Sequence, residues 1–483
     1  MNKAYTSYVP INQKWAKQIP SHWDARRMKA VFAMRKERNN PIVTENILSL
    51  TAKQGVVPYA EKEGTGGNKP KSDLTQYNVC HENDLLVNCM NVVSGAAGVS
   101  RYYGAISPVY YAFYPHKDEN IWYYHYIFRL LPFQRSLVGL GKGILMHESE
   151  DGTLTSVRMR ISMDYLGNVL LPVPPREEQD QIVRFLDWKV SSINKLISNY
   201  RHQIALLDEM KQRRIDEAVI KGMRKSTIIH NDDIRWDIDY PEHWQIQRIR
   251  ESFTFRKGLS ITKANLEETG IAVISYGQVH SKKNSGVGLN EELIRYVNES
   301  YLTINQSCLV EKGDFIFADT SEDVTGCGNC AYIDWNDTIF AGYHSIIAHP
   351  DGSANNKYLA YLFKSPTWRY QIRKKVNGVK VYSITQKMLK DVFILIPPID
   401  EQEEIISHLD EVCAKIDAAI KKMEEKIANL QDFKIRLVAD TVTGKIDVRG
   451  IDIPEYEFVD EDTDADNEDD GEEDTEEQEG EEE

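Results

Sequence analysis

The feature that most limits what this chain can fold into is that it is written twice. Ile19-Pro20-Ser21-His22-Trp23, with Met28 and Phe32 behind it, returns as Tyr240-Pro241-Glu242-His243-Trp244, with Ile249 and Phe253, at an offset of 221 residues. A longer pair follows. Ile161-Ser162, Leu166, Val169-Leu170-Leu171, Pro174-Pro175 and Glu178-Gln179 match Ile384-Thr385, Leu389, Val392-Phe393-Ile394, Pro397-Pro398 and Glu401-Gln402 at an offset of 223. Between these anchors the halves diverge, although both alternate short apolar strands with Gly, Asn and Ser turns. Ile47–Leu50, Leu85–Val87 and Val109–Phe113 read as strands, with Ile271–Ser275, Phe315–Phe317 and Ser345–Ala348 as their counterparts. A repeat of this length predicts two copies of one α/β domain, alike in frame and different in loops.

After each Pro-Pro the apolar period changes from two to about 3.5. Ile193, Ile197, Tyr200, Ile204 and Leu207 step by 4, 3, 4 and 3 residues, and Ile416, Ile420, Met423, Ile427 and Leu430 repeat those steps. Two heptad-patterned helices are expected, near Glu177–Lys221 and Asp400–Thr443, each a rod of about 65 Å. Pro175 and Pro398 suit their first turns, and Gly222 and Gly444 their ends. Two matched seams in one chain predict an antiparallel coiled coil. The expected architecture is α+β/α: a first domain at 1–175, a helix at 176–222, a second domain at 223–398, a helix at 399–447, and a linker with a disordered acidic tail at 448–483.

Charge bears on the partner only after this division. The formal net charge is −16, but 17 of the 24 residues from Asp460 to Glu483 are acidic. Setting those 17 aside leaves 57 acidic against 58 basic residues in the rest. The bulk value therefore does not exclude a nucleic-acid partner. A tail of this composition reads as solubilising, or as a competitor for a basic groove. The start, MNKAYTSYVPINQKW, lacks a signal-peptide core, and no apolar run approaches bilayer-spanning length, so a cytoplasmic location is expected. Six cysteines in 483 residues do not form a disulfide framework. Cys327-Gly328-Asn329-Cys330 has no second Cys-x-x-Cys, so reduced thiols and no metal site are expected.

The doubled order of motifs resembles the specificity subunits of type I restriction–modification enzymes, over residues 19–447. Pro20-Ser21-His22-Trp23 and Pro241-Glu242-His243-Trp244 match the family's Pro-x-x-Trp opening. Pro174-Pro175-Arg176-Glu177-Glu178-Gln179 and Pro397-Pro398-Ile399-Asp400-Glu401-Gln402 match its Pro-Pro-x-x-Glu-Gln start of a long helix. The resemblance implies that each domain reads half of a split double-stranded DNA target while the helices set the spacing. It also implies assembly with two adenine methyltransferase subunits using S-adenosylmethionine, and with motor–nuclease subunits, two in number, using ATP and Mg. The chain itself would bind no cofactor. Two features depart from the family pattern: the acidic tail, and 20 steps from Gly141 to Ile161 against six from Gly378 to Ile384.

No catalytic residue is expected. The Pro-Pro pairs stand at helix starts, not in an Asn/Asp-Pro-Pro-aromatic methyltransferase element, and no Walker spacing occurs. The alternatives are a fused restriction–methylation enzyme and a coiled-coil scaffold without a DNA role. The His of each Pro-x-His-Trp reads as structural, and Trp122-Tyr123-Tyr124-His125-Tyr126, with Tyr358, Tyr361 and Phe363 as counterparts, reads as a core helix. For DNA, Lys and Arg should meet phosphates and polar side chains base edges. The candidates are Lys53, Gln54, Asn88, Asn91, Lys142, Arg158 and Arg160 in the first half. In the second they are Tyr276, Gln278, Lys282, Lys283, Lys374, Lys375, Lys380 and Tyr382.

Overall fold

The computed structural model describes residues 4–460 apart from 12, 52–53, 63–68, 141, 145–146, 149–153, 156–157, 232, 234–235, 377 and 379–380. The acidic tail beyond 460 lies outside the described residues, as do Lys53 and Lys380. The chain forms two compact units. One combines residues up to Arg201 with those from Glu424 onward, and the other is His202–Met423. Each unit therefore holds one domain, the first half of the long helix that follows it, and the second half of the other long helix. Those helices run Arg176–Lys221 and Ile399–Val442, within a residue of the heptad reading.

The two domains share a frame strand for strand. In the first, a four-stranded antiparallel sheet is ordered Phe32–Met34, Tyr110–Pro115, Leu85–Asn88, Ala97–Val99. In the second the order is Phe253–Lys257, Ser345–Pro350, Phe315–Ala318, Cys330–Tyr332. The central strands are buried throughout because both faces are covered, which is why they read as unbroken apolar runs. A buried carboxylate opens each: Asp84 accepts from the His81 amide at 2.9 Å and pairs with Arg35, and Asp314 accepts from the Glu311 amide at 2.9 Å and pairs with His349 and Arg256. The second domain adds a mixed five-stranded sheet around Ile271–Ile274 that has no five-stranded counterpart among the described residues of the first.

A helix pair packs on each sheet, Ile121–Phe128 with Leu131–Leu137 and Asn356–Lys364 with Pro366–Arg373. Tyr123, Tyr124, Ile127 and Phe128 are inaccessible to solvent, as are Tyr358 and Phe363. The aromatic run is therefore core, as its helical spacing suggests.

The two sequence motifs turn out to be one joint, built twice. At the start of the first long helix the Gln179 amide donates to the Pro174 carbonyl at 2.9 Å and accepts from the Asn120 backbone at 2.8 Å. Gln402 repeats this with Pro397 at 2.7 Å and Asn355 at 2.7 Å. The neighbouring glutamates take the histidines of the openings, His22–Glu178 at 2.9 Å and His243–Glu401 at 2.8 Å. Burying Glu178 and Glu401 is tolerable only because those partners stand ready.

Each joint is closed by the far end of the other long helix. Gly222, at φ +70°, packs against Trp244 and Glu401, and Gly444, at φ +72°, packs against Pro20 and Trp23. Tyr123 donates to the Val442 carbonyl at 2.9 Å, and Tyr358 to the Val219 carbonyl at 3.3 Å. Within each unit the helix halves run antiparallel: Lys211 pairs with Asp417 and Arg224 with Glu404 in one, while Asn194 meets Lys434 and Tyr200 meets Lys426 in the other. Ile193, Ile197 and Ile416 of the seam are buried; Tyr200, Ile204, Leu207, Ile420, Met423, Ile427 and Leu430 are partly buried.

The stretch read as a linker is packed up to its last described residues. Val448 is fully buried, Gln181 donates to the Val448 and Ile451 carbonyls, and Ser191 and Asn194 donate to the Glu457 and Val459 carbonyls. Polar side chains of the helix here satisfy the backbone carbonyls of a segment without regular structure, a pairing that composition does not disclose.

Candidate nucleic-acid interface

The central strand of each sheet ends at the same structural feature. The residue just past it, Cys89 in the first domain and Asp319 in the second, accepts through its carbonyl from Ile161 at 2.9 Å and Ile384 at 2.7 Å. Those isoleucines are the repeated anchors, so the segment before each is delivered to the same edge of its domain.

In the first domain that edge carries a two-stranded ribbon, with Lys142 opposite Arg160 and Ile144 opposite Arg158. Three of the candidates thus come together on one ribbon. The Arg160 guanidinium lies beside the Cys89 thiol, whose pKa burial nonetheless raises. Asn88 is at the strand end but buried, and its side chain accepts from the Met90 amide at 3.0 Å. Asn91 is exposed in the next turn. Gln54 sits in a hairpin turn, where its amide donates to Thr51 Oγ1 at 2.9 Å.

In the second domain the edge is aromatic and imidazole-rich. Tyr276 opens the short helix Tyr276–His280, which is capped because Gln278 accepts from the Ser275 amide at 3.1 Å. The Tyr276 ring meets Tyr343 and His344, each at 5.5 Å. His280 Nε2 lies 2.8 Å from the Thr320 carbonyl, and Thr320–Ser321 pairs with Tyr382–Ser383. These contacts join Tyr276, Gln278 and Tyr382 around one strand end. His344, which is not among the DNA-facing candidates, has φ +53° and holds Asp319 Oδ1 at 3.2 Å. A non-glycine residue there stores on the order of 1 kcal/mol of strain, a cost that concentrates at functional sites. Lys282 and Lys283 are exposed in the following turn, and Lys283 pairs with Glu292 at 2.8 Å. Lys374 and Lys375 follow the Pro366–Arg373 helix, with Lys374 over the Tyr370 ring.

The cysteines among these segments are all free, and burial raises the Cys327 and Cys330 thiol pKa values, the latter to about 12. Among the described residues no cluster of His, Cys, Asp and Glu has the makings of a metal site, and no helix is long and apolar enough to cross a membrane.

A two-fold repeated α/β frame on long helices, with a polar edge at each central strand, defines a class, and comparison with known proteins shows what it is similar to. Residues 241–429 match the family model described as the type I restriction modification DNA specificity domain. The MjaVIII type I restriction enzyme specificity subunit of Methanocaldococcus jannaschii is 23% identical over 293 residues, 59% of this chain and 64% of that protein. The EcoKI specificity subunit of Escherichia coli K12 is 23% identical over 291 residues, 57% of each. The matched region thus spans less than two thirds of these relatives. A chain from a structure of type I R-M complex assembly and conformational transition covers 89% of this chain at a TM-score of 0.62 and 14% identity, and so shares its fold. The second half of this chain thus matches the type I specificity-domain model, and more than half of the chain is similar to type I specificity subunits.

Proposed function

We propose that the chain is the DNA-reading, non-catalytic subunit of a type I restriction–modification complex, each domain reading one half of a split, asymmetric target. The observation that carries this reading is one frame delivering two differently furnished edges, a basic ribbon at Lys142 and Arg160 and an aromatic cluster at Tyr276, His344 and Tyr382. Cationic groups suit phosphates and the polar aromatic group suits base edges. The long helices pair as an antiparallel coiled coil that sets the distance between half-sites, a reading supported by the antiparallel contacts within each unit. Exposed Leu196, Leu206, Met210 and Phe433 on these helices offer apolar surface to partner subunits. Those partners are two adenine methyltransferase subunits using S-adenosylmethionine and two motor–nuclease subunits using ATP and Mg.

The test is to map methylated adenines made by the complex. Inserting four residues, about 6 Å of rise, between Leu207 and Met210 and between Leu430 and Phe433 should change the spacer and neither half-site. Exchanging residues 24–160 for a relative's segment should change one half-site alone. A continuous target, both half-sites changing together, or methyl transfer by the purified chain alone would each defeat the reading.

A further inference from the structure

In the second unit, one recess of about 220 Å³ is lined by Lys364, Arg369 and Arg373 together with Ser281, Asn284 and Asn329. The three cations project from the consecutive helices Asn356–Lys364 and Pro366–Arg373. Their partners are all neutral. Lys364 donates to the Ser285 carbonyl, Arg369 Nε to the Phe363 carbonyl at 2.7 Å and its Nη1 to Asn329 Oδ1, and Arg373 Nη2 to the Thr325 carbonyl. Arg373 Nε is buried with no acceptor.

The surrounding ionisable groups do not compensate this charge. Asp323 acts on Arg373 but is engaged by Thr325 and Gly326, Asp216 accepts from Ser365 and Thr367, and Asp417 is taken up by Lys211, whose own charge disfavours the Lys364 ammonium. The Cys330 thiol facing Arg369 is held neutral by burial. Burial without a counter-charge pulls the Lys364 ammonium down to about 8 and Arg369 to about 10. Recessed cations left in this state are unfavourable until an anion joins them.

The Cys327-Gly328-Asn329-Cys330 turn is built around this recess. Gly328, at φ +92°, admits Arg369 and Ile372, since a Cβ there would lie 3.3 Å from Arg369 Cγ and 3.0 Å from Ile372 Cδ1. Asn329 then clamps the guanidinium and turns its other end to His280 Nδ1 at 3.1 Å, and so toward Thr320 and the aromatic edge. The frame demands only part of this, since the first domain also has a cation, Arg129, at the position of Lys364. At the equivalent positions the first domain has Gln134, which donates to the Phe128 carbonyl at 3.0 Å as Arg369 does to that of Phe363, and Val138 in place of Arg373.

We propose that this recess is an oxyanion site that takes a phosphate group, held by Lys364, Arg369 and Arg373. A DNA backbone phosphate and a free phosphorylated small molecule present the same chemistry; the first source rests on the DNA-reading function above, the second does not.

The test measures acetylation of Lys364 near pH 8 by peptide mass spectrometry, on the full chain co-purified with its methyltransferase subunits, at constant ionic strength. Inorganic phosphate should slow the labelling several-fold and saturably, and raise the unfolding temperature. Arg373→Gln should keep the unliganded unfolding temperature and weaken both effects about tenfold, the loss of one charge-assisted contact. If a short duplex without terminal phosphates also protects Lys364 and competes with phosphate, the source is the DNA backbone. If phosphate protects and the duplex does not, a small phosphorylated ligand is the source, and the DNA-reading function stands or falls separately on methylation mapping. Labelling unmoved by phosphate and duplex alike, or protection equal in Arg373→Gln (an adventitious ion only), overturns the site.

Discussion

The joint between opening and long helix differs little between the two domains, while the turn joining the paired helices differs a great deal. At the joint, Glu178 and Glu401, Gln179 and Gln402, and Gly444 and Gly222 meet equivalent partners. Even there the hydrogen bonds are redistributed: Tyr5 supplies Glu178 and leaves the Trp23 indole without an acceptor, whereas the Trp244 indole donates to Glu401 at 3.2 Å. At the turn, Gln134 and Val138 stand where Arg369 and Arg373 stand, and His125 where Ala360 does. What recurs is what buried polar groups require in order to be buried at all. What diverges lies where the frame accepts several side chains.

Breaking the joint should have the largest effect. Gly444→Ala places a Cβ 2.4 Å from the Pro20 ring at a left-handed φ, and Gly222→Ala places one 2.8 Å from the Trp244 ring. Each should lose about 3 kcal/mol, and denaturant unfolding of the two variants should agree within about 1 kcal/mol. A large loss in only one would show that the joints are not equivalent in energy.

Glu401→Ala strips the acceptor from both His243 and Trp244 and should cost about 2–3 kcal/mol. Glu178→Ala, measured the same way, should cost as much through Tyr5 and His22.

Acid should separate the domains. Burial, with Arg129 and Arg101 nearby, lowers His125 to about 3, so the folded state keeps it neutral. Its contribution is complete above the unfolded value near 6.5 and is lost as pH falls from there toward 3. By pH 5 the loss is about 2 kcal/mol. Hydrogen exchange should show the first domain loosening before the second, and His125→Gln should flatten that difference.

The smallest effect belongs to the exposed edge. Lys283→Ala removes a pair with Glu292 in which both side chains are 61% exposed, so solvent screening should leave stability unmoved. DNA binding by the assembled complex should weaken across sequences, with the salt-dependence slope falling by about 0.9. A sequence-selective loss would instead place Lys283 at a base edge.

The sequence by itself determined the elements and their duplication. Alternating runs such as Leu48–Thr51, unbroken apolar runs such as Leu85–Val87 and 3.5-period runs such as Ile193–Leu207 are local, so burial prints itself on neighbouring residues. The helix limits were legible for the same reason, since proline and glycine act on their own backbone. The candidate edges were half legible. Arg158, Arg160 and Tyr382 stand just before the repeated isoleucines, and the repeat marked them. His344 and the Lys364, Arg369 and Arg373 cluster carried no such mark, because their partners lie on segments distant in sequence. Only the tertiary structure decided that each joint is closed by the other repeat's helix, that residues 448–459 pack on the first helix, and that three cations share one recess. Those outcomes depend on which buried donors and cations meet which acceptors across long stretches of chain, and such pairings leave no periodicity to read.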